Sequence, residues 1–296
     1  MTNRQLWTFL ALAFLLALPP QLLAVAGGLQ GGAKGWLLLT MWAPALAAFL
    51  AGGEVRARAL AALRLRPWRW VLLALLVGWS FTLLQTGLAW GAGVAQWNAE
   101  RFPLAADGGG VEGIRKAATV LGFHAQGWAF FALNLTLTLT FASLLNGALG
   151  GVGEELGWRA VLQPELERRF GAVKGAVLVG LLWGYWHLPV NLAGYNDGTH
   201  ATLNALVTFP VFTTGAALAL GWLTRRSGGS VWPAAVAHGA NNTIANGFVL
   251  LPVGWAAETA TQLAAAVLVG GVCAWRLARA PRLAPRAGGA GAPAAA

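Results

Sequence analysis

WVLLALLVGWSFTLLQTGLAWGA, residues 70–92, runs without a single Asp, Glu, Lys or Arg. At 1.5 Å of rise per residue, a helix of this length crosses the roughly 30 Å hydrocarbon core of a bilayer. Its apolar side chains are continuous and do not alternate, so it does not read as a strand of a membrane barrel. Lipid offers no partner to backbone N–H and C=O groups, and a helix pairs all of them within the segment itself.

The same reading, carried outward, finds apolar runs at 6–26, 36–53, 126–148, 173–193, 202–224, 231–251 and 256–275. With 70–92 they predict an all-α polytopic membrane helix bundle of about eight transmembrane helices. The totals agree: 57% of residues are hydrophobic and 10% charged, whereas a soluble domain carries about a quarter of its residues as charges. The first run also fits a cleaved signal peptide, with Arg4 as its basic start and Ala24-Val25-Ala26 as a cleavage site. Its length, and the seven runs that follow, favour an uncleaved first span. Cys273 is the one cysteine, which excludes an intrachain disulfide or a cysteine cluster for metal.

The net charge of +10 raises nucleic acid as a partner, but the basic residues lie beside the spans as an orientation signal. With the N-terminus inside, sixteen of the twenty fall on the inner side: Arg4, Arg56, Arg58, Arg64, Arg66, Arg69, Arg159, Arg168, Arg169, Lys174, Arg225, Arg226, Arg276, Arg279, Arg282 and Arg286. Lys34, Arg101, Arg115 and Lys116 fall outside. Both termini are therefore expected in the cytoplasm, and the Ala-, Gly- and Arg-rich composition suggests a bacterial inner or plasma membrane. The partners expected are the lipid bilayer and a membrane-associated protein or peptide, with no nucleic acid. Tryptophans near span ends, such as Trp36, Trp68, Trp70, Trp222, Trp232 and Trp255, read as interfacial anchors. The polar stretch 93–118 is a connection or a lid, and 276–296 reads as a disordered cationic tail.

Ionisable residues in such a chain are costly and ask for a partner or a role. In GVGEELGWRAVL, residues 151–162, Glu155 and Arg159 stand four apart on one helical face, which pairs them and leaves Glu154 as a free carboxylate. Equally, both glutamates can open a cytosolic helix, where acids favour the N-terminal end. In LLWGYWHLPVN, residues 181–191, Trp183 and His187 share a face, and His187 reads as a packing residue or a catalyst. A turn near Gly171 puts Glu154 and His187 at almost equal depth on antiparallel helices. Pro164 is expected to kink the first of them or to divide it in two. In VAHGANNTIAN, residues 236–246, His238 and Asn242 share a face beside Asn241, as interhelical polar contacts or as functional groups. His124 and His200 read as boundary residues. A carboxylate base, an imidazole and a His/Asn pair suit peptide-bond hydrolysis. Zinc held by Glu154, His187 and His238 is the alternative that ligand chemistry allows, although no H-E-x-x-H helix specifies it.

Together the three motifs resemble the CPBP intramembrane proteases, which include type II CAAX prenyl endopeptidases and bacteriocin-processing or immunity relatives. The family pattern E-E-x-x-x-R, aromatic-x-x-x-H and H-x-x-x-N is met by Glu154-Glu155 with Arg159, Trp183 with His187, and His238 with Asn242. Trp183 stands where Phe is usual, and Gly157-Trp158 replace an apolar-Phe pair. The resemblance implies an intramembrane endopeptidase working near the cytoplasmic side of the bilayer. It makes Glu154 and His187 the activators of water, His238 and Asn242 the stabilisers of the oxyanion, and Glu155 and Arg159 supporting residues. It requires no cofactor, and a divalent metal such as zinc stays open. The expected organisation is 1–125 as N-terminal helices and loops, 126–251 as the CPBP-like core, 252–275 as a final span and 276–296 as the tail. A proton-coupled transporter and a non-catalytic scaffold or immunity protein of the same fold are the competing functions.

Overall fold

The computed structural model describes residues 1–100, 102, 122, 127–244 and 248–281. Its helices are α1 (Asn3–Ala26), α2 (Lys34–Leu50), α3 (Gly53–Ala62), α4 (Arg69–Gly91), α5 (Gly127–Phe170), α6 (Ala172–Trp186), α7 (Leu188–Leu192), α8 (Ala201–Arg226), α9 (Trp232–Ile244) and α10 (Trp255–Ala278). A two-stranded antiparallel pairing of β1 (Ala95–Trp97) with β2 (Leu250–Pro252) ties the exit of α4 to the approach to α10. The chain is an all-α polytopic bundle and an integral membrane protein. Among the described residues, six helices are long and apolar enough to cross a membrane: α1, α2 with its leading turn, α4, α5, α8 and α10. Large apolar side chains such as Leu15, Leu39, Leu72, Phe141 and Val272 stand on the outside of the bundle, as lipid-facing side chains do.

Two expected spans are shorter than eight full crossings require. The run 173–193 is the 15-residue α6, which stops before His187, and 231–251 holds the 13-residue α9. α6 stops where polar side chains gather, and non-helical backbone at membrane depth is tolerated where it lines a polar cavity. The run 126–148 is one of the six but does not end at 148. It continues through the glutamates to Phe170 as one helix of 44 residues.

Three π turns, at Thr138–Ala142, Gly147–Gly151 and Trp158–Leu162, interrupt α5. Such turns release carbonyls from the regular ladder. Ser143 Oγ donates to the Thr138 carbonyl at 2.9 Å, and Trp42 Nε1 to the Leu149 carbonyl at 2.7 Å. The last π turn immediately precedes Pro164, where a proline would otherwise clash with the turn before it. Thus α5 continues past Pro164 without dividing.

The glycines of GALGGVGEELG bring α5 against two helices at once. A Cβ on Gly147 would lie 2.7 Å from the Ala235 carbonyl oxygen of α9, and one on Gly239 of α9 would lie 2.2 Å from the Gly147 nitrogen. On another face, a Cβ on Gly157 would lie 2.4 Å from Pro44 of α2. Small residues allow this backbone approach, the usual means of close helix packing in lipid. The two clasping helices bury Glu154 and Glu155, so these do not open a solvated helix.

The basic residues gather at one end of the bundle. There Glu165 is fully buried among Arg58, Arg168, Arg169 and the N-terminal ammonium of Met1. Arg225 pairs with Glu167 at 2.9 Å, while Arg64 and Arg66 donate to the Gly228 and Ser227 carbonyls. Arg159 does not join them: it lies inside the bundle, 1% exposed. Tryptophans divide similarly. Trp68 and Trp36 stand on the outside, but Trp158, Trp183 and Trp186 are core residues. Most of 93–118 and all of 282–296, including the expected lid and most of the cationic tail, lie outside the described residues, as does His124.

Candidate active site

Glu154 lies 1% exposed on α5, and its Oε2 accepts a 2.5 Å hydrogen bond from Trp183 Nε1. Trp183 is one turn before His187 on α6, so the Gly171 turn does bring the two motifs to one depth. Gly171 adopts φ +86°, a left-handed conformation that glycine enters without a Cβ penalty.

His187 sits where α6 gives way to α7, with Nδ1 2.9 Å from the Trp183 carbonyl. A carbonyl only accepts, so Nδ1 carries the proton and Nε2 keeps a lone pair. Rings enclose this imidazole: Phe209 at 5.0 Å and Trp186 at 4.7 Å between centroids, both edge-on. Trp186 is fixed in turn, donating to the Ala13 carbonyl of α1 while its own carbonyl accepts from Gln21.

His238 places Nδ1 2.9 Å from Glu155 Oε1, and Trp183 meets its ring at 5.2 Å. Glu155 Oε2 faces Arg159 Nε at 3.1 Å, within ion-pair distance although the angle is not that of a hydrogen bond. The guanidinium also lies over the Trp183 ring, 4.9 Å from its centroid. Glu155 therefore joins Arg159 to His238, which goes beyond the expected pair on one helix.

Asn242, one turn beyond His238, is exposed to the cavity and reaches Asn146 Oδ1 of α5 at 3.5 Å. All four expected catalytic residues, Glu154, His187, His238 and Asn242, line a single cavity of about 620 Å³. Glu155 and Arg159 stand behind its wall. Of the remaining histidines, His200 stacks on Trp255 with ring centroids 3.8 Å apart.

Several lining residues were not foreseen. Trp183 contributes more than an aromatic face, because its N–H holds Glu154. Asn204 and Thr208 are joined by a 3.0 Å hydrogen bond on a π turn of α8, and Asn204 Nδ2 is buried without a hydrogen-bond partner. Their spacing of four in the apolar run ATLNALVTFP was the available signal. Asn146 and Asn241 also line the cavity. Trp158 fills the core beside Phe9 and Trp186 rather than the site, while Gly157 serves the approach of Pro44. Among the described residues, no three His, Cys, Asp or Glu side chains converge as a metal-binding group. The set Glu154, His187 and His238 is not brought to ligand spacing.

Fold and site together define a class: a polytopic membrane protein with a carboxylate, two imidazoles and an asparagine converging in a cavity among its helices. Residues 136–244 match the family model of the Rce1-like type II CAAX prenyl endopeptidases, and the match bears out the CPBP resemblance. This range holds Glu154, Glu155, Arg159, His187, His238 and Asn242, and it supports an intramembrane endopeptidase of the CAAX type. No curated protein matches the chain.

Proposed function

We propose that this protein hydrolyses a peptide bond of a membrane-associated protein or peptide, using water activated by Glu154 and His187. The observation that carries this reading is the convergence of Glu154, His187, His238 and Asn242 on one cavity. Water held between the Glu154 carboxylate and the His187 Nε2 lone pair gives its proton to Glu154 as its oxygen bonds to the peptide carbonyl carbon. The tetrahedral oxyanion that forms accepts from the Asn242 amide and from His238 Nε2–H, which requires the imidazolium because Nδ1–H is engaged by Glu155. Glu154 then returns the proton to the departing amine as the C–N bond breaks.

Trp183 and Arg159 act through other groups. The indole N–H orients Glu154 and leaves its second oxygen for the water. Arg159 balances Glu155, which holds the His238 ring. No step here passes through a metal. With both termini in the cytoplasm of a bacterial cell, the bilayer is the constant partner and the polypeptide substrate the transient one.

The decisive test replaces Glu154 by Gln, which keeps size and hydrogen bonding but removes the base. Membranes carrying wild type or E154Q are compared for newly released peptide termini. We expect the wild-type cleavages to vanish with protein level and membrane insertion unchanged; undiminished cleavage would sink this reading.

A further inference from the structure

α1 lies outside the matched residues 136–244, yet one of its side chains reaches the residue that precedes His187. Ala13, Ala17, Gln21 and Ala24 follow one another at helical spacing, which sets them on one face of α1, and each is at most 1% exposed. Among the described residues, Gln21 is the one polar side chain on the buried face of this helix. An amide buried among alanines costs free energy unless it is paired, and Gln21 is only half paired. Its Nε2 donates to the Trp186 carbonyl at 3.0 Å, while Oε1 has no hydrogen-bond partner among the described residues. An apolar side chain would suit the stripe as well, so the amide is distinguished by what it holds.

It holds the end of a helix. α6 stops at Trp186, and the last carbonyls of a helix have no partner within it. Beyond His187 the chain enters α7, where Val190 packs with Ala24 and, just past α1, with Leu29. The same end of α1 thus grips the chain on both sides of His187. Trp186 is fastened twice, its main chain by Gln21 and its indole by the Ala13 carbonyl at 2.9 Å, and its ring meets the imidazole edge-on. The bond between His187 Nδ1 and the Trp183 carbonyl spans this last turn of α6, so its geometry depends on the turn staying in place.

We infer that Gln21 is a positioning residue for His187: by holding the end of α6 it keeps the imidazole on the Trp183 carbonyl and leaves Nε2 for the water. This rests on the hydrolytic reading above and extends the working site to a helix beyond the matched residues. Gln21 does not line the cavity and acts through Trp186.

The test uses the full-length protein with Gln21→Met, which keeps the length of the side chain and removes the donor. Gln21→Asn, which keeps the amide but shortens its reach by one CH₂, is the second variant. Both are compared with wild type in cleavage kinetics, in thermal unfolding in detergent and in nitrogen NMR spectra of isotope-labelled histidine. We expect kcat to fall roughly three- to tenfold, the rate equivalent of one neutral hydrogen bond, with KM and unfolding temperature nearly unchanged. The His187 ring signals should shift as the Nδ1–H tautomer loses population, while those of His238, held by Glu155, stay in place. Unchanged kcat or unchanged His187 signals overturn the proposal. So does disturbance of both imidazoles together with a fall in stability, which marks a general loosening of the bundle. The spectra need no turnover and are recorded in the E154Q background as well. Cleavage that persists in E154Q defeats the hydrolytic reading, whereas His187 signals indifferent to Gln21 defeat the positioning.

Discussion

Trp183 carries an indole N–H that phenylalanine lacks, and that N–H holds the carboxylate on which the proposed chemistry depends. A hydrogen bond to a charged group contributes about 1.5–3 kcal/mol, and each 1.36 kcal/mol corresponds to tenfold in rate. Trp183→Phe is therefore expected to lower kcat roughly 10- to 100-fold and to leave KM nearly unchanged. The fold should persist at a modest cost in stability, because a phenyl ring keeps part of the packing against His187 and His238. Steady-state kinetics on a cleaved peptide, with thermal unfolding as control, checks both statements; equal losses of kcat and stability would contradict them. Glu155 makes a second case. Arg159→Met leaves Glu155 buried beside His238 without its guanidinium, and breaking a buried pair from one side costs about 3–5 kcal/mol. Glu155→Gln combined with Arg159→Met should cost clearly less than the two single changes summed, as denaturant unfolding in detergent would show. The Glu155–Arg159 pair is legible from a spacing of four. Its extension to His238 is not, because 83 residues separate the partners and helix periodicity carries no information across helices.

What the glycines of α5 do could be read only after the helices were placed. The run GALGGVGEELG looks like a weak helix, since each glycine costs about 1 kcal/mol relative to alanine in a helix interior. Packing overrides that preference: Gly147 lies on Gly239 and Ala235, and Gly157 on Pro44, at separations that no side chain allows. Gly239→Leu must therefore separate α5 from α9 and pull His238 away from Glu155. Overpacking of this kind costs about 1–3 kcal/mol or more, so the variant should unfold at lower temperature and lose activity together, while Gly271→Leu, which faces open space, should change neither. A thermal shift assay in detergent distinguishes them. Hydropathy found the long helices because burial in lipid depends on length and composition alone. At α6 the apolar run continues past the point where polar cavity residues end the helix, so the helix is shorter than the run that announced it. The π turns and the β1–β2 pairing arise from tertiary contacts and leave no period in the chain. By contrast, the equal depth of Glu154 and His187 was legible, because Gly171 marks the turn from which both distances are counted.

The bundle as a whole separates three kinds of surface: a charged end stitched by Glu165 and Glu167, a lipid-facing apolar belt, and a cavity with unlike walls. Towards its mouth the cavity presents Asp197, Thr199, Glu258 and Thr259, whereas α2 and α8 supply Leu37, Leu38, Met41, Phe209 and Phe212 deeper in. Leu38 is at once 41% exposed on the bundle surface and part of the cavity wall, so the apolar wall is continuous with the belt that meets lipid. On the proposed function, a bound polypeptide would meet polar side chains at the rim and apolar ones beside the scissile bond. Burial contributes about 0.8 kcal/mol per CH₂, so exchanging one buried leucine of a substrate for serine forfeits enough to raise KM about tenfold or more. The reacting carbonyl still meets the same four side chains, which leaves kcat largely unaltered. Paired peptides that differ only in that apolar segment, assayed with the protein in liposomes, should therefore separate in KM. If kcat separated them instead, the apolar wall would be acting on the transition state, and the division of labour between α2 and α8 on one side and α5, α6 and α9 on the other would be wrong.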